Sequence, residues 1–270
     1  MSRLRRRDPA RLESPAVAGA FGIASFEPGA ALLQLVFPSC CAACGTARRD
    51  TGGGGLCREC WRALPLLDAD SACAACALPS AAPLCRSCRA TPPPASRTVA
   101  LVRYEGVARR LVHALKFRGH DILAARAGAL MAAAARSRGL HEELGAIVPV
   151  PSTARRNRER GYDPGALLAE EVARHLGRPL RPLLSRIREA PPQSTVPAMD
   201  RRRNVRGVFG PSERARGLHL LLVDDVLTTG ATAFEAARTL RAAGASSVDI
   251  LVLARTPETG PLHHGPPEQP

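Results

Sequence analysis

The chain has 270 residues, of which 45% are hydrophobic and 23% charged, the composition of a soluble globular protein with enough apolar residues for a sizeable core. No stretch approaches the roughly 18 consecutive apolar residues that a membrane-spanning helix requires. With 3% aromatics, the sequence does not advertise base stacking on aromatic platforms. The formal net charge is +14, with a pI near 10.7, which points to an anionic partner: nucleic acid, a phosphorylated ligand or an acidic surface. Lys116 is the only lysine, so almost all of that charge is arginine. Together with the abundant Ala, Gly and Pro, this also carries the mark of a genome-wide compositional bias.

In chain order, residues 1–30 are basic and then mildly apolar, interrupted by Pro15, Gly19 and Gly22, and read as a disordered extension. Residues 31–90 hold every cysteine. The stretch TPPPAS, 91–96, reads as a linker, since proline is stiff and cannot extend a central strand. Residues 97–256 alternate strand-like and helix-like runs. RTVALVRY (97–104) predicts a strand. VARRLVHALKF (107–117) has apolar residues at helical spacing, and ILAARAGALMAAAARSRG (122–139) predicts a second helix closed by Gly139. GAIVPVP (145–151) is a short apolar strand stopped by proline. Asp163 followed by Pro164 predicts an N-cap with proline at the first helical position, opening a helix that runs to His175. LHLLLVDD (218–225) is apolar without alternation, as expected of a strand covered on both faces and ended by its two acids. A helix over 231–244 and a strand over 247–255 complete the pattern. Strands alternating with helices imply an α/β fold with a mostly parallel sheet flanked by helices. Residues 257–270 read as a disordered tail, in which the adjacent His263 and His264 are solvated rather than metal-binding.

Eight of the nine cysteines form four C-x-x-C pairs: Cys41/Cys44, Cys57/Cys60, Cys73/Cys76 and Cys85/Cys88. Two intervening residues let both thiolates of a pair reach one ion from a tight turn. Two such turns supply the tetrahedron that zinc prefers, so four pairs suit two zinc ions. Sequential grouping is simplest and interleaving is the alternative; Cys40 is left over and could replace Cys41. Disulfides and thioredoxin-like chemistry are the competing readings. Paired spacing without a convincing signal peptide favours bound metal in a reducing, cytoplasmic compartment, and no CxxC opens a helix in a βαβ unit. All eight ligands are matched and no histidine joins them, so both sites read as closed and structural.

The stretch VDDVLTTGAT (223–232) has the logic of a phosphate site without being a P-loop. A buried strand ends, small residues turn, and a helix starts near Ala231. Backbone N–H groups at the turn and the helix dipole attract a phosphate. Thr228, Thr229 and Thr232 add hydroxyl donors, and Gly230 permits close approach. Asp224 and Asp225 are wrong for phosphate but right for accepting hydrogen bonds from a sugar diol. Together they describe a ribose 5-phosphate site at the carboxyl end of a central strand, where open α/β sheets bind ligands.

This stretch resembles the phosphoribosyl pyrophosphate (PRPP) signature of type I phosphoribosyltransferases: apolar residues, two acids, then T-T-G-A-T. The segments 148–176 and 193–209, the VFP at 36–38, the four CxxC pairs and LVHALKFRG (111–119) resemble the competence protein ComF family (ComF/GntX-like), over roughly residues 31–255. The resemblance implies a type I phosphoribosyltransferase-like fold behind an N-terminal double zinc ribbon over 31–90. It implies that Asp224 and Asp225 hold the ribose hydroxyls and that Thr228, Thr229, Gly230, Ala231 and Thr232 cradle the 5-phosphate. Arg155, Arg156, Arg158 and Arg160, in the turn after strand 145–150, would meet the pyrophosphate; a solvated basic loop is the alternative. Gln193, Arg201 and Asn204 fall in the family's mobile segment, where Ala190 departs from the usual threonine. Lys116 either places a compact ammonium near a phosphate or is a surface lysine.

The resemblance implies one of two functions. One is a pentosyl-transferring glycosyltransferase that binds PRPP with Mg²⁺ and transfers or hydrolyses its phosphoribosyl group, in association with natural competence and DNA uptake. The other is a non-catalytic module of the transformation machinery that binds single-stranded DNA or a partner such as the competence helicase.

Overall fold

The computed structural model describes residues 40–47, 55–117, 121–188 and 205–257, all within one compact unit. The expected N-terminal extension, most of the glycine run 52–55, the mobile segment with Gln193, Arg201 and Asn204, and the tail with His263 and His264 lie outside these residues.

The cysteine region is two copies of one small device. In each, a tight turn leads into a five-residue helix: α1 (Arg58–Arg62) and α2 (Arg86–Ala90). An isolated antiparallel bridge closes each turn, Cys40 with Ala47 and Ala72 with Pro79. The fourth residue after the first cysteine takes a left-handed conformation in both, Gly45 at φ 76° and Ala77 at φ 56°. Its N–H bonds back to that cysteine's carbonyl at 2.9 Å in the first copy and 2.8 Å in the second. Glycine adopts this conformation without cost, whereas alanine bears a strain of about 1–2 kcal/mol.

The ribbons lead into β1 (Thr98–Arg103), α3 (Gly106–Phe117), α4 (Asp121–Ser137) and β2 (Ala146–Pro149). Next come α5 (Ala154–Arg160), α6 (Pro164–Leu176), β3 (Leu184–Arg186) and β4 (Phe209–Pro211). The chain then forms β5 (His219–Leu227), α7 (Ala231–Ala242) and β6 (Ser247–Arg255). The main sheet is parallel with order β1-β6-β5-β2, and β3 pairs antiparallel with β4 in a separate two-stranded sheet.

The unbroken apolar run of β5 is explained by burial on both faces. Leu221 and Val223 share one core with α3, α4 and α6. Leu220 and Leu222 share the other with α7 and the β3–β4 pair. Truncating a fully buried leucine of this kind to alanine costs about 2–5 kcal/mol. Asp163 caps α6 as its sequence predicts, accepting from Gly165 N at 2.9 Å and Ala166 N at 3.3 Å.

Three features depart from the sequence-based expectation. The acids do not end β5: its ladder with β6 runs on to Leu227, opposite Arg255, because β6 extends equally far and supplies the partners. The basic stretch after β2 is a helix rather than a turn, capped by Thr153, which accepts from Arg156 N at 3.2 Å. Strands β3 and β4 were not anticipated, since three-residue strands are too short to display a period.

The 91–96 stretch lies against the sheet: Ala95 is buried, and Ser96 N donates to Val248 O at 2.8 Å. Leu66 bridges antiparallel to Val102, so the segment after the first ribbon covers the β1 edge and blunts it against pairing with another chain.

Candidate functional site

Both cysteine clusters have the dimensions of metal sites. The four Sγ atoms of Cys41, Cys44, Cys57 and Cys60 lie within 4.8 Å of one another, as do those of Cys73, Cys76, Cys85 and Cys88. A tetrahedron with Zn–S bonds of about 2.3 Å has edges of about 3.8 Å. Both Cys44–Cys57 and Cys76–Cys85 have Sγ atoms 3.8 Å apart. Backbone N–H groups point at sulfur in matching places: Cys57 N to Cys41 Sγ at 3.2 Å and Cys85 N to Cys73 Sγ at 3.3 Å. Such donors stabilise thiolate.

Without a cation the thiols of a cluster divide: hydrogen bonds with Thr46 hold Cys44 down at about 6, and Cys73, despite its burial, is held at about 7 by backbone N–H groups, while their neighbours resist ionisation. Burial first, then the charge of Cys73, pushes Cys76 up to about 12, and burial pushes Cys60 and Cys88 higher still. A divalent ion removes that conflict, and the donor set fits structural zinc. The grouping is sequential, and the exposed Cys40 stands outside both clusters.

The second site is a cleft of about 260 Å³ at the carboxyl ends of β2 and β5. One wall comes from the end of β5 and the turn into α7: Asp224, Asp225, Val226, Leu227, Thr228 and the start of the helix. Gly230 caps α7 at φ 78°, and a Cβ there would lie 2.3 Å from the Phe234 ring. Glycine is therefore required twice over, by conformation and by the ring beneath it. Thr229 Oγ1 accepts from Ala231 N at 3.4 Å. The first residues of α7, Ala231, Thr232 and Ala233, line the cleft, so the positive dipole end of the helix faces it.

The acids are strongly coupled. Asp224 Oδ1 accepts from Asp225 N at 2.8 Å. Asp225 Oδ2 lies 2.9 Å from Lys116 Nζ in the last turn of α3, and both side chains are mostly buried. Asp225 shares strand parity with Leu221 and Val223, which face α3, and this explains the pairing. Burial, then the neighbouring Asp225 charge, raises the Asp224 carboxyl to about 8, against the opposing pull of the Asp225 N–H and Lys116. α6 starts beside the acid: a Cβ at Gly165 would sit 3.6 Å from Asp224 Oδ1, an ordinary contact distance.

The opposite wall is basic. Val150, Pro151 and Ser152 form its loop, and Arg156 and Arg160 of α5 and Arg186 of β3 contribute guanidinium groups. Asp163 secures the loop to α6 by accepting from Ser152 N at 3.0 Å. Arg160 lies over the Phe117 ring at 5.1 Å, and Arg186 over Phe209 at 5.4 Å. Arg186 also donates to Pro151 O at 3.3 Å.

The structure therefore divides the arginines that the sequence offered together. Arg156 and Arg160 line the cleft. Arg155 is exposed and paired with Glu159 at 2.8 Å, and Arg158 is exposed outside the lining. Successive helical residues point about 100° apart, so four arginines within six positions cannot all face one cavity. Arg186 and Tyr104 line it unanticipated, beside Ser152 of the turn expected there. Arg186 belongs to the short β3, and no local pattern marks it.

Comparison with known proteins agrees with this architecture. Residues 163–266 match the phosphoribosyl transferase domain family, and residues 32–90 match the double zinc ribbon domain family. The DNA utilization protein YhgH of Salmonella typhimurium is 37% identical over 209 residues, spanning 75% of this chain and 91% of that protein. The chain belongs to the ComF family. Other ComF-family relatives include competence protein F of Haemophilus influenzae, 34% identical over 114 residues and covering 41% of this chain and 50% of that protein. Competence protein ComFC of Bacillus subtilis is 34% identical over 111 residues, covering 41% and 44%. ComF-type organisation is thus a phosphoribosyltransferase domain behind two four-cysteine zinc-binding clusters. No helix among the described residues is long and apolar enough to cross a membrane.

Proposed function

We propose that the cleft binds PRPP and that the chain transfers or hydrolyses its phosphoribosyl group. One observation carries this reading: two coupled acids and an anion-binding turn adjoin on one wall, and three guanidinium groups face them from the other. The α7 N-terminus and the threonine hydroxyls suit the 5-phosphate. Asp224 and Asp225 suit the ribose 2- and 3-hydroxyls. Arg156, Arg160 and Arg186 suit the diphosphate.

With its carboxyl raised to about 8 by burial and the Asp225 charge, Asp224 keeps its proton at neutral pH and can donate to a hydroxyl of the diol. The C1–O bond would break with its electron pair leaving on the diphosphate, where the arginines stabilise the growing charge. Positive charge would spread over C1 and the ring oxygen until a nucleophile, a base or water, attacks. The acids are hard oxygen donors of the kind Mg²⁺ takes together with substrate phosphates, and the ion would offset the charge of the diphosphate.

Relatives carry names that refer to DNA utilization and competence, and we infer that this chemistry serves the handling of DNA in the cytoplasm. Calorimetric titration with PRPP and Mg²⁺ tests the reading. Wild type should bind, and an Asp224→Asn/Asp225→Asn double variant should bind at least tenfold more weakly. Absence of heat with wild type would overturn the reading.

A second reading, a non-catalytic module for single-stranded DNA, has one feature in its favour. Phe117 is 60% exposed beside the cleft, with Arg160 on its ring, an arrangement suited to stacking on a base. It predicts salt-dependent binding of an oligonucleotide that PRPP does not displace.

A further inference from the structure

The two zinc ribbons are alike in themselves but not in what they touch. The first packs on the helices: Trp61 lies beneath the Arg126 guanidinium at 4.8 Å, and Leu56, Cys60 and Leu64 share the core of α3 and α4. The second lies along the sheet, bonded to the start of β1 and, through Arg255, to the carboxyl end of β6, where the cleft opens. Its first CxxC turn bonds directly to β1, with Thr98 N donating to Ala74 O at 2.7 Å and Thr98 Oγ1 to Ala75 O at 2.8 Å.

The next carbonyl in that turn belongs to Cys76, a predicted zinc ligand, and it accepts from Arg255 Nε at 2.9 Å. Arg255 ends β6 and is only 5% exposed. Its Nη1 reaches the other way, to Leu227 O at 2.9 Å, to Thr228 O, and to Thr256 O at 3.0 Å. Thr256 N in turn donates to Leu227 O at 3.1 Å. Leu227 and Thr228 are the residues through which β5 enters the phosphate turn, and both line the cleft. A single buried guanidinium thus spans from a zinc-ligand carbonyl to the turn carbonyls. Phe234 adds an apolar contact along the same line, since it lies under Gly230 and packs against the cluster formed by Cys73, Ala75, Cys76, Leu78 and Cys88.

We propose that Arg255 is a positioning residue that ties the phosphate turn to the second zinc ribbon, so that metal at Cys73/Cys76/Cys85/Cys88 sets the affinity of the cleft for a phosphorylated ligand. The physical chain is short. The second ribbon has a small apolar cluster of its own, so metal binding supplies much of its folding energy. With the ion gone, the Cys76 carbonyl leaves its place. Arg255 then loses the Cys76 carbonyl that its Nε holds, and the buried guanidinium relaxes toward a new partner. The Leu227 and Thr228 carbonyls follow, and the N–H groups of the turn lose their common aim. The first site has no such connection among the described residues.

The proposal deepens the reading of the cleft as a PRPP site and rests on it for the ligand, but the coupling can be measured without ligand. Three variants of the full chain separate the possibilities: Arg255→Lys, which keeps the charge but lacks the fork; Cys76→Ser in the second site; and Cys44→Ser in the first. Amide hydrogen exchange over residues 224–234, zinc content and calorimetric titration with PRPP are read for each.

Arg255→Lys should retain two zinc ions, speed exchange in the turn at least tenfold and weaken PRPP at least tenfold. Cys76→Ser should lose one ion with the same exchange change, and Cys44→Ser should lose one ion and leave the turn as in wild type. Unchanged exchange in Arg255→Lys overturns the proposal, as does equal loosening by Cys44→Ser and Cys76→Ser. If Cys76→Ser does not fold, Arg255→Lys decides alone. If wild type fails to bind PRPP, the ligand reading falls, while the exchange pattern still decides the coupling.

Discussion

Replacing Asp224 by asparagine should stabilise the protein, and increasingly so as pH rises. The carboxyl holds its proton up to about 8 when folded, against an ordinary value of 3.8, because it is buried beside the charge of Asp225. Below about pH 4 both folded and unfolded states are protonated there, and the group contributes nothing to stability. Between about pH 4 and 8 the unfolded carboxyl ionises while the folded one resists, so stability falls as pH rises. Above about pH 8 the loss is complete. The gap of about 4 pH units at about 1.36 kcal/mol each sets a ceiling of about 5 kcal/mol. The cleft admits water, which relaxes part of that cost, so a gain of about 2–3 kcal/mol is expected for Asp224→Asn at pH 8. Asparagine keeps the oxygen that accepts from Asp225 N, so the local geometry survives. Urea denaturation of both proteins at pH 5, 6.5 and 8, in zinc-containing buffer, measures the difference directly, and contributions from other titrating groups cancel in the comparison. An Asn variant whose advantage is the same at pH 5 and pH 8 refutes the reasoning. The same variant should bind PRPP more weakly, so the position exchanges stability for function.

Lys116→Met should destabilise the protein by about 1–3 kcal/mol at pH 7 by leaving the mostly buried Asp225 carboxylate without its ammonium, as urea denaturation will show. Arg160→Ala should weaken PRPP at least tenfold and Arg155→Ala less than twofold, since only the former lines the cleft; equal effects in titration would contradict the geometry. Gly230→Ala should cost at least about 2 kcal/mol in thermal denaturation, from the left-handed backbone and the contact with Phe234. Native mass spectrometry should find two zinc ions per chain, falling to one on substitution of a single ligand in either cluster.

The sequence by itself determined what local spacing can write. Four CxxC pairs dictate two metal sites because two residues make one turn. The apolar run of β5 dictates a strand buried on both faces. Asp163–Pro164 dictates where α6 begins, and TTGAT dictates a turn leading into a helix. The acids and the turn after them were legible as neighbours on one wall for the same reason: they are contiguous in the chain.

Tertiary structure alone decided which charges face one another. Arginines 155, 156, 158 and 160 are equivalent as a string, and only the direction of α5 over the cleft separates 156 and 160 from the rest. Lys116 stands more than a hundred residues from Asp225, and Arg186 and Arg255 carry no local mark. Which ribbon meets the phosphate turn was likewise invisible, since Cys76 and Arg255 are 179 residues apart. The physical reason is common to all of these. A helix or a cap is specified by neighbours along the chain, whereas the partner of a long charged side chain is set by how β1, β5 and β6 stack elements from distant segments against one end of a sheet.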